Sequence, residues 1–238
     1  MPWDIKRFSI FLGTIILLYG SWLAPGTREI WRALDLHVFL FLNSWISTSP
    51  FWQHFWAYAN HNLNDWLFDL VMLIFFSLYV VKAPAGYRRK CTVEVIYTIV
   101  YCSLTIILIN RYFFTKFLNV KRPCPTLVVE GATKLSEILT DIKIKDTSTR
   151  SFPGDHATTS LLFVLTIYLK MGARYGLYAL GVTSFFILPR MIVGAHWFSD
   201  VAVGSLSIAL FAVAIGHISP LKRIILRWRS HETVQRAD

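Results

Sequence analysis

Long apolar stretches alternate along the chain with shorter polar ones, and six of them approach the roughly 20 residues needed to cross a bilayer. They run Phe8–Ala24, Trp66–Lys82, Val93–Phe114, Pro153–Met171, Leu177–Met191 and Phe198–Ile218. The pattern predicts an all-α integral membrane protein with six transmembrane helices. It forms one domain over 1–230, followed by a polar tail, 231–238. The first stretch follows Lys6 and Arg7, as a signal peptide would, but "GSWLAPG" lacks the small-residue cleavage pattern and reads as an uncleaved anchor.

Two connectors are long enough to have structure of their own. Residues 25–65 hold "DLHVFLFLNSWI" and the aromatic group "SPFWQHFWAY", a density of Trp and Tyr that suits short helices in the membrane interface. In 121–150, Leu135, Ile138, Leu139 and Ile142 recur at helical spacing, which predicts a short amphipathic helix over 131–143.

Composition agrees with this pattern. The 238 residues are 55% hydrophobic and only 16% charged, whereas soluble domains carry about 25% charged residues. The net charge of +10 is concentrated in four segments. Lys6 and Arg7 precede the first stretch, and "YRRK" separates the second from the third. "KMGARYG" joins the fourth to the fifth, and "LKRIILRWRS" follows the sixth. All four belong on one membrane face, and Lys/Arg excess marks that face as cytoplasmic. Basic clusters separated by apolar spans argue against nucleic acid as a partner. The three cysteines form no disulfide framework.

The chemistry gathers at the opposite, non-cytoplasmic face. "VKRPCP" brings Lys121 and Arg122 there, "SFPGDH" brings His156, and "PRMIVGAHWFSD" brings Arg190, His196 and Asp200. His196 and Asp200 are four apart, so on a helix the carboxylate can accept from one imidazole nitrogen and leave the other free to attack. Arg190 near the end of an apolar stretch calls for a polar cavity or an anion, and its planar fork suits phosphate. Pro153 can pre-set a first helical turn, and Gly154 lets backbone N–H groups approach an anion at a helix start. His156 is then placed to donate a proton to a leaving oxygen. Taken alone, these residues also fit a snorkelling Arg, a capping His and a helix capped by Ser151 or Asp155. Three distant segments converging on one face favour phosphoryl transfer by a nucleophilic histidine, and no metal-site spacing is present. His37, His54 and His61 read as interfacial, and Asn64, Asp65 and Asp69 as lining an entrance.

The segments "KRP", "SFPGDHA" and "RMIVGAHWFSD" resemble the three signature motifs of the type 2 phosphatidic acid phosphatase (PAP2) superfamily, integral-membrane branch. The resemblance implies a six-helix bundle with its site at the outer face. It implies His196 as nucleophile, Asp200 as its orienting carboxylate and His156 as general acid, with Arg122 and Arg190 on phosphate and no cofactor. Two departures stand out. The place of the first-motif lysine is taken by Thr115, leaving Lys121 or Lys116 to serve, and Gly154 and Asp155 replace the usual Ser and Gly. Asp155 brings a carboxylate near the phosphate, where a cation or a proton must offset it.

The "SFPGDH" variant, the third motif and the loop "SEILTDIKIKDTSTRSF" together are most similar to a branch that moves phosphate from undecaprenyl pyrophosphate to lipid A in the bacterial inner membrane. Both termini would then be cytoplasmic and the site periplasmic. The alternatives are a phosphatase that gives the phosphate of a polyprenyl pyrophosphate or other lipid phosphate to water, and a non-catalytic lipid binder.

Overall fold

The computed structural model describes residues 4–220, so the expectations for "LKRIILRWRS" and the 231–238 tail lie outside the described residues. Every regular element among them is a helix. We number them α1 (Ile5–Leu23), α2 (Pro25–Ser44), α3 (Pro50–Ala59), α4 (Asn62–Val81) and α5 (Ala85–Phe117). There follow α6 (Pro125–Val128), α7 (Leu135–Ile138), α8 (Asp155–Met171), α9 (Ala173–Ile192) and α10 (Asp200–Ile218).

A helix overlies each of the six apolar stretches, because a continuous apolar run in lipid must satisfy its backbone internally and a helix does so locally. Four of these helices, α4, α5, α9 and α10, are long and apolar enough to cross a membrane. Helix α1 joins α2 through a bend of 87° at Ala24, and the pair taken together makes a fifth candidate. Helix α8 has 17 residues, the lower end of the length a span requires, and is not among them.

The core has three parts. Phe68 and Phe76 of α4 meet Phe163 and Ile167 of α8 and Phe186 of α9, with rings packed edge-on at centroid distances of 5.7–6.2 Å around Phe163. Leu162 of α8 packs on Ala209, Ala212 and Val213 of α10. At one end, Leu42 and Ile46 pack with Trp56, Leu135 and Ile192. Helix α8 therefore lies between α9 and α10, and the first residues of α8 are fixed from both sides.

The amphipathic helix expected over 131–143 is reduced to the single turn of α7. Leu135 and Leu139 are buried, but Ile138 is half exposed, so the segment presents two anchors and not a helical stripe. Its backbone is held from outside: Ser136 N–H donates to Asp146, and Asn43 exchanges hydrogen bonds with the Thr133 backbone. Those long-range contacts replace the local i→i+4 ladder that the spacing implied.

Candidate active site

The segment after α5 and the segment before α8 run side by side. Ser151 N–H donates to the Arg122 carbonyl and Cys124 N–H to the Ser148 carbonyl, both at 2.8 Å. This short parallel pairing fixes Arg122 and the "SFPGDH" segment relative to each other.

Arg122 is enclosed. Nη1 donates to Ser199 Oγ at 2.9 Å and to Asp200, while Nη2 donates to Asp35 at 2.6 Å. The guanidinium lies between the rings of Trp22 and Trp197, each 5.6 Å from its carbon. Asp35 also accepts from the Ser199 N–H and hydroxyl, at 2.7 and 2.6 Å. Asp35 and Asp200 are almost fully buried, so the one cation balances two carboxylates that water cannot solvate.

His196 is held differently from the expectation. Its Nδ1 lies 2.7 Å from the Ser151 carbonyl, an acceptor only, so Nδ1 carries the proton of that bond. Asp200 Oδ2 is 3.7 Å away and instead accepts the Trp197 N–H at 2.8 Å. The i, i+4 spacing implied one helical face, but the chain turns at Gly194 (φ +77°) and α10 begins only at Asp200, so the imidazole precedes the helix. The carbonyl of Ser151 thus does what the carboxylate was expected to do. It fixes the tautomer and leaves Nε2 unprotonated, with its lone pair free.

Gly154 faces this ring. A Cβ on Gly154 would lie 3.3 Å from His196 Cε1, so the missing side chain sets how closely α8 approaches the imidazole. Gly154 is the N-cap of α8 and makes no side-chain cap. Pro153 precedes it and stands outside the first turn, and neither Ser151 nor Asp155 caps the helix as the bland reading supposed.

Two residues further on, His156 joins a second cluster. Its Nε2 is 3.1 Å from Asp65 Oδ1 and 3.3 Å from Arg190 Nη2. Arg190 donates to Asp65 at 2.8 Å and through Nη1 to Asn60 at 2.9 Å. A proton on Nε2 points at the carboxylate; without it, the nitrogen accepts from Arg190. The ring can therefore hold or give up a proton without losing a partner. His156 and Asp65 are each about one-third exposed, whereas the Arg190 side chain is 6% exposed, so the cluster opens at the histidine.

Asp155 does meet a cation. Arg111 Nε donates to its Oδ2 at 3.1 Å, from a part of α5 wound in wider i→i+5 turns over Ile106–Phe117. Lys116 and Lys121 are exposed, and neither side chain makes a hydrogen bond or ion pair among the described residues.

Asp35, Asn60, Arg111 and Ser199 are not among the residues that the sequence singles out. Arg111 had a readable signal, since it is a charge inside the apolar run "TIILINRYFF", whereas Asp35 shares α2 with Arg28, Glu29 and Arg32 and does not stand out. Asn60 and Ser199 had none. Asp65, read as an entrance residue, is the shared partner of Arg190 and His156.

Gly194 supplies a test of this construction. Its left-handed φ disfavours a side chain, and a Cβ there would sit 2.6 Å from Thr126 Cγ2 and 2.8 Å from Phe39 Cε2. Gly194→Ala is expected to cost about 2–5 kcal/mol from strain and overpacking together. It should also lower activity by moving His196. Thermal unfolding in detergent alongside an activity assay would check both; a variant of unchanged stability would refute the turn's role.

Comparison with known proteins agrees with the geometry. The family model described as the PAP2 superfamily matches residues 95–224. Lipid A 1-diphosphate synthase of Escherichia coli (strain K12) is 30% identical over 207 residues, covering 87% of this chain and 84% of the relative. No solved structure matches significantly.

Proposed function

The chain belongs to the PAP2 superfamily, and from that premise we propose that it is a membrane phosphotransferase. It removes the terminal phosphate of a polyprenyl pyrophosphate, with undecaprenyl pyrophosphate as the donor, and passes that phosphate to lipid A. The observation that carries this reading is His196, whose Nδ1 is committed to the Ser151 carbonyl and whose Nε2 is left as a nucleophile.

In the first half-reaction the Nε2 lone pair attacks the terminal phosphorus and the bond to the bridging oxygen breaks. Polyprenyl phosphate leaves, taking a proton from His156. In the second, an oxygen of the acceptor attacks the phosphohistidine, the P–N bond breaks, and His156 receives the acceptor's proton if it carries one. Arg190 and Arg122, with Lys121 or Lys116, neutralise charge on the phosphate oxygens during both steps. Asp200, 3.7 Å from Nδ1, adds a negative charge that favours the positive imidazole of the phosphorylated state. With that donor, the enzyme would work in a bacterial inner membrane. Six helices would span it, with both termini cytoplasmic and the site periplasmic.

The acceptor is supported by the likeness to lipid A 1-diphosphate synthase. Purified protein given undecaprenyl pyrophosphate labelled at the terminal phosphate, with and without lipid A, is the test. Label on lipid A is the expected result. Label in free phosphate alone would make water the acceptor and overturn the transferase reading; label in neither product would overturn the donor as well.

A further inference from the structure

Arg111 lies on an exposed and otherwise apolar face of α5. Ile107, Leu108 and Tyr112 beside it are all half exposed or more, and the Arg111 side chain is 68% exposed. An arginine on an apolar face is costly unless an anion receives it. Its one partner is Asp155, bound through Nε, and both terminal Nη groups are without a hydrogen bond among the described residues. The other two arginines of the site differ. Arg190 has both Nη groups engaged by Asn60, Asp65 and His156, and Arg122 has both engaged by Asp35, Ser199 and Asp200.

Position adds to this. Asp155 sits between Gly154, where a Cβ would lie 3.3 Å from the His196 ring, and His156. The Arg111 guanidinium therefore stands at the lipid-side rim of the site, tethered by one bond and with its fork open. A pair this exposed adds little to stability, so anchoring the helix is a weak reason for it. In a lipid diphosphate, the phosphate that is not transferred remains attached to the hydrocarbon chain and lies on the membrane side of the reacting one.

We propose that Arg111, tethered by Asp155, binds the lipid-attached phosphate of a diphosphate donor and makes the site prefer lipid diphosphates to monophosphates. This rests on the reading of the site as one for a prenyl diphosphate. It also gives a role to Asp155: the carboxylate faces a cation and aims it, so it does not repel the donor. Arg111 is a specificity residue and takes no part in the bond changes at His196.

Binding separates this proposal from the catalytic one. A non-hydrolysable prenyl methylenediphosphonate and the matching prenyl phosphonate would be titrated in detergent against wild type, Arg111→Gln and Arg111→Lys. Arg111→Gln is expected to weaken the diphosphonate about tenfold or more, and the phosphonate about twofold or less, as loss of a charge-assisted contact to one phosphate requires. Arg111→Lys should fall between, since it keeps the charge and loses the fork. Equal loss for both ligands would make Arg111 a general lipid anchor and overturn the proposal. No loss for either, or no diphosphonate binding by wild type, would overturn it too. Wild type that binds the diphosphonate selectively but turns over no prenyl pyrophosphate would instead count against the proposed reaction.

Discussion

His196→Ala is expected to bring turnover to background, a loss of about 10^4-fold or more, because it removes the nucleophile of the proposed reaction and leaves His156 held between Asp65 and Arg190 as proton donor. The sharper test lies in the comparison with Asp200→Asn. Where a carboxylate is the direct acceptor of a catalytic histidine's N–H, changing Asp to Asn costs about 10^4 in kcat by favouring the wrong tautomer. Here the acceptor of Nδ1–H is the Ser151 carbonyl at 2.7 Å, which Asp200→Asn leaves in place. The variant should lose far less than His196→Ala and should still form an acid-labile phosphoenzyme, which His196→Ala should not. Labelled donor, rapid quenching at alkaline pH and counting of protein-bound phosphate would read both. Equal losses would mean that the carboxylate, and not the carbonyl, orients the ring.

Arg122→Ala is expected to destabilise the protein by about 3–5 kcal/mol, as removal of one partner from a buried ion cluster does. The side chains of Asp35 and Asp200 are 3% and 0% exposed, and Arg122 is their shared cation. Without it two carboxylates face each other with only Ser199 and the Trp197 N–H as donors. The double variant Arg122→Ala with Asp35→Asn should regain part of the loss, giving a coupling of opposite sign to the single effects. Thermal unfolding of the four proteins of that cycle, in one detergent, measures it. Strict additivity would show that the carboxylate and the arginine do not sense each other. Activity would fall with Arg122 in any case, since the guanidinium still has donors free for phosphate beside the three bonds it makes.

The helices over the apolar stretches were legible in the sequence because hydrophobic length alone decides them. Helix α7 was not. Leu135, Ile138, Leu139 and Ile142 keep the helical period, yet Asp146 and Asn43, distant in the chain, hold the backbone in another form. Arg122, His156, Arg190, His196 and Asp200 were legible as candidates because each sits at a fixed offset within a short segment. What they bond to was not. Arg122 meets Asp35 across 87 residues and Arg190 meets Asn60 across 130. No local pattern encodes such pairs. The same limit explains His196, whose acceptor Ser151 lies 45 residues upstream while the carboxylate four residues away looked sufficient.

Arg122 and Arg190 also tie the part of the chain that matches the family to the part that precedes it. Arg122 and Arg190 lie within the region that matches the family, residues 95–224, whereas Asp35, Asn60 and Asp65 precede it. A mutation in the leading part that alters either acid strands a charge in the matched part, and the reverse holds equally. The two parts are therefore bound to change in concert over generations. A recombination joining the leading part of one lineage to the matched part of another would survive only where both acids, and the bend at Ala24 that presents the first of them, are inherited together.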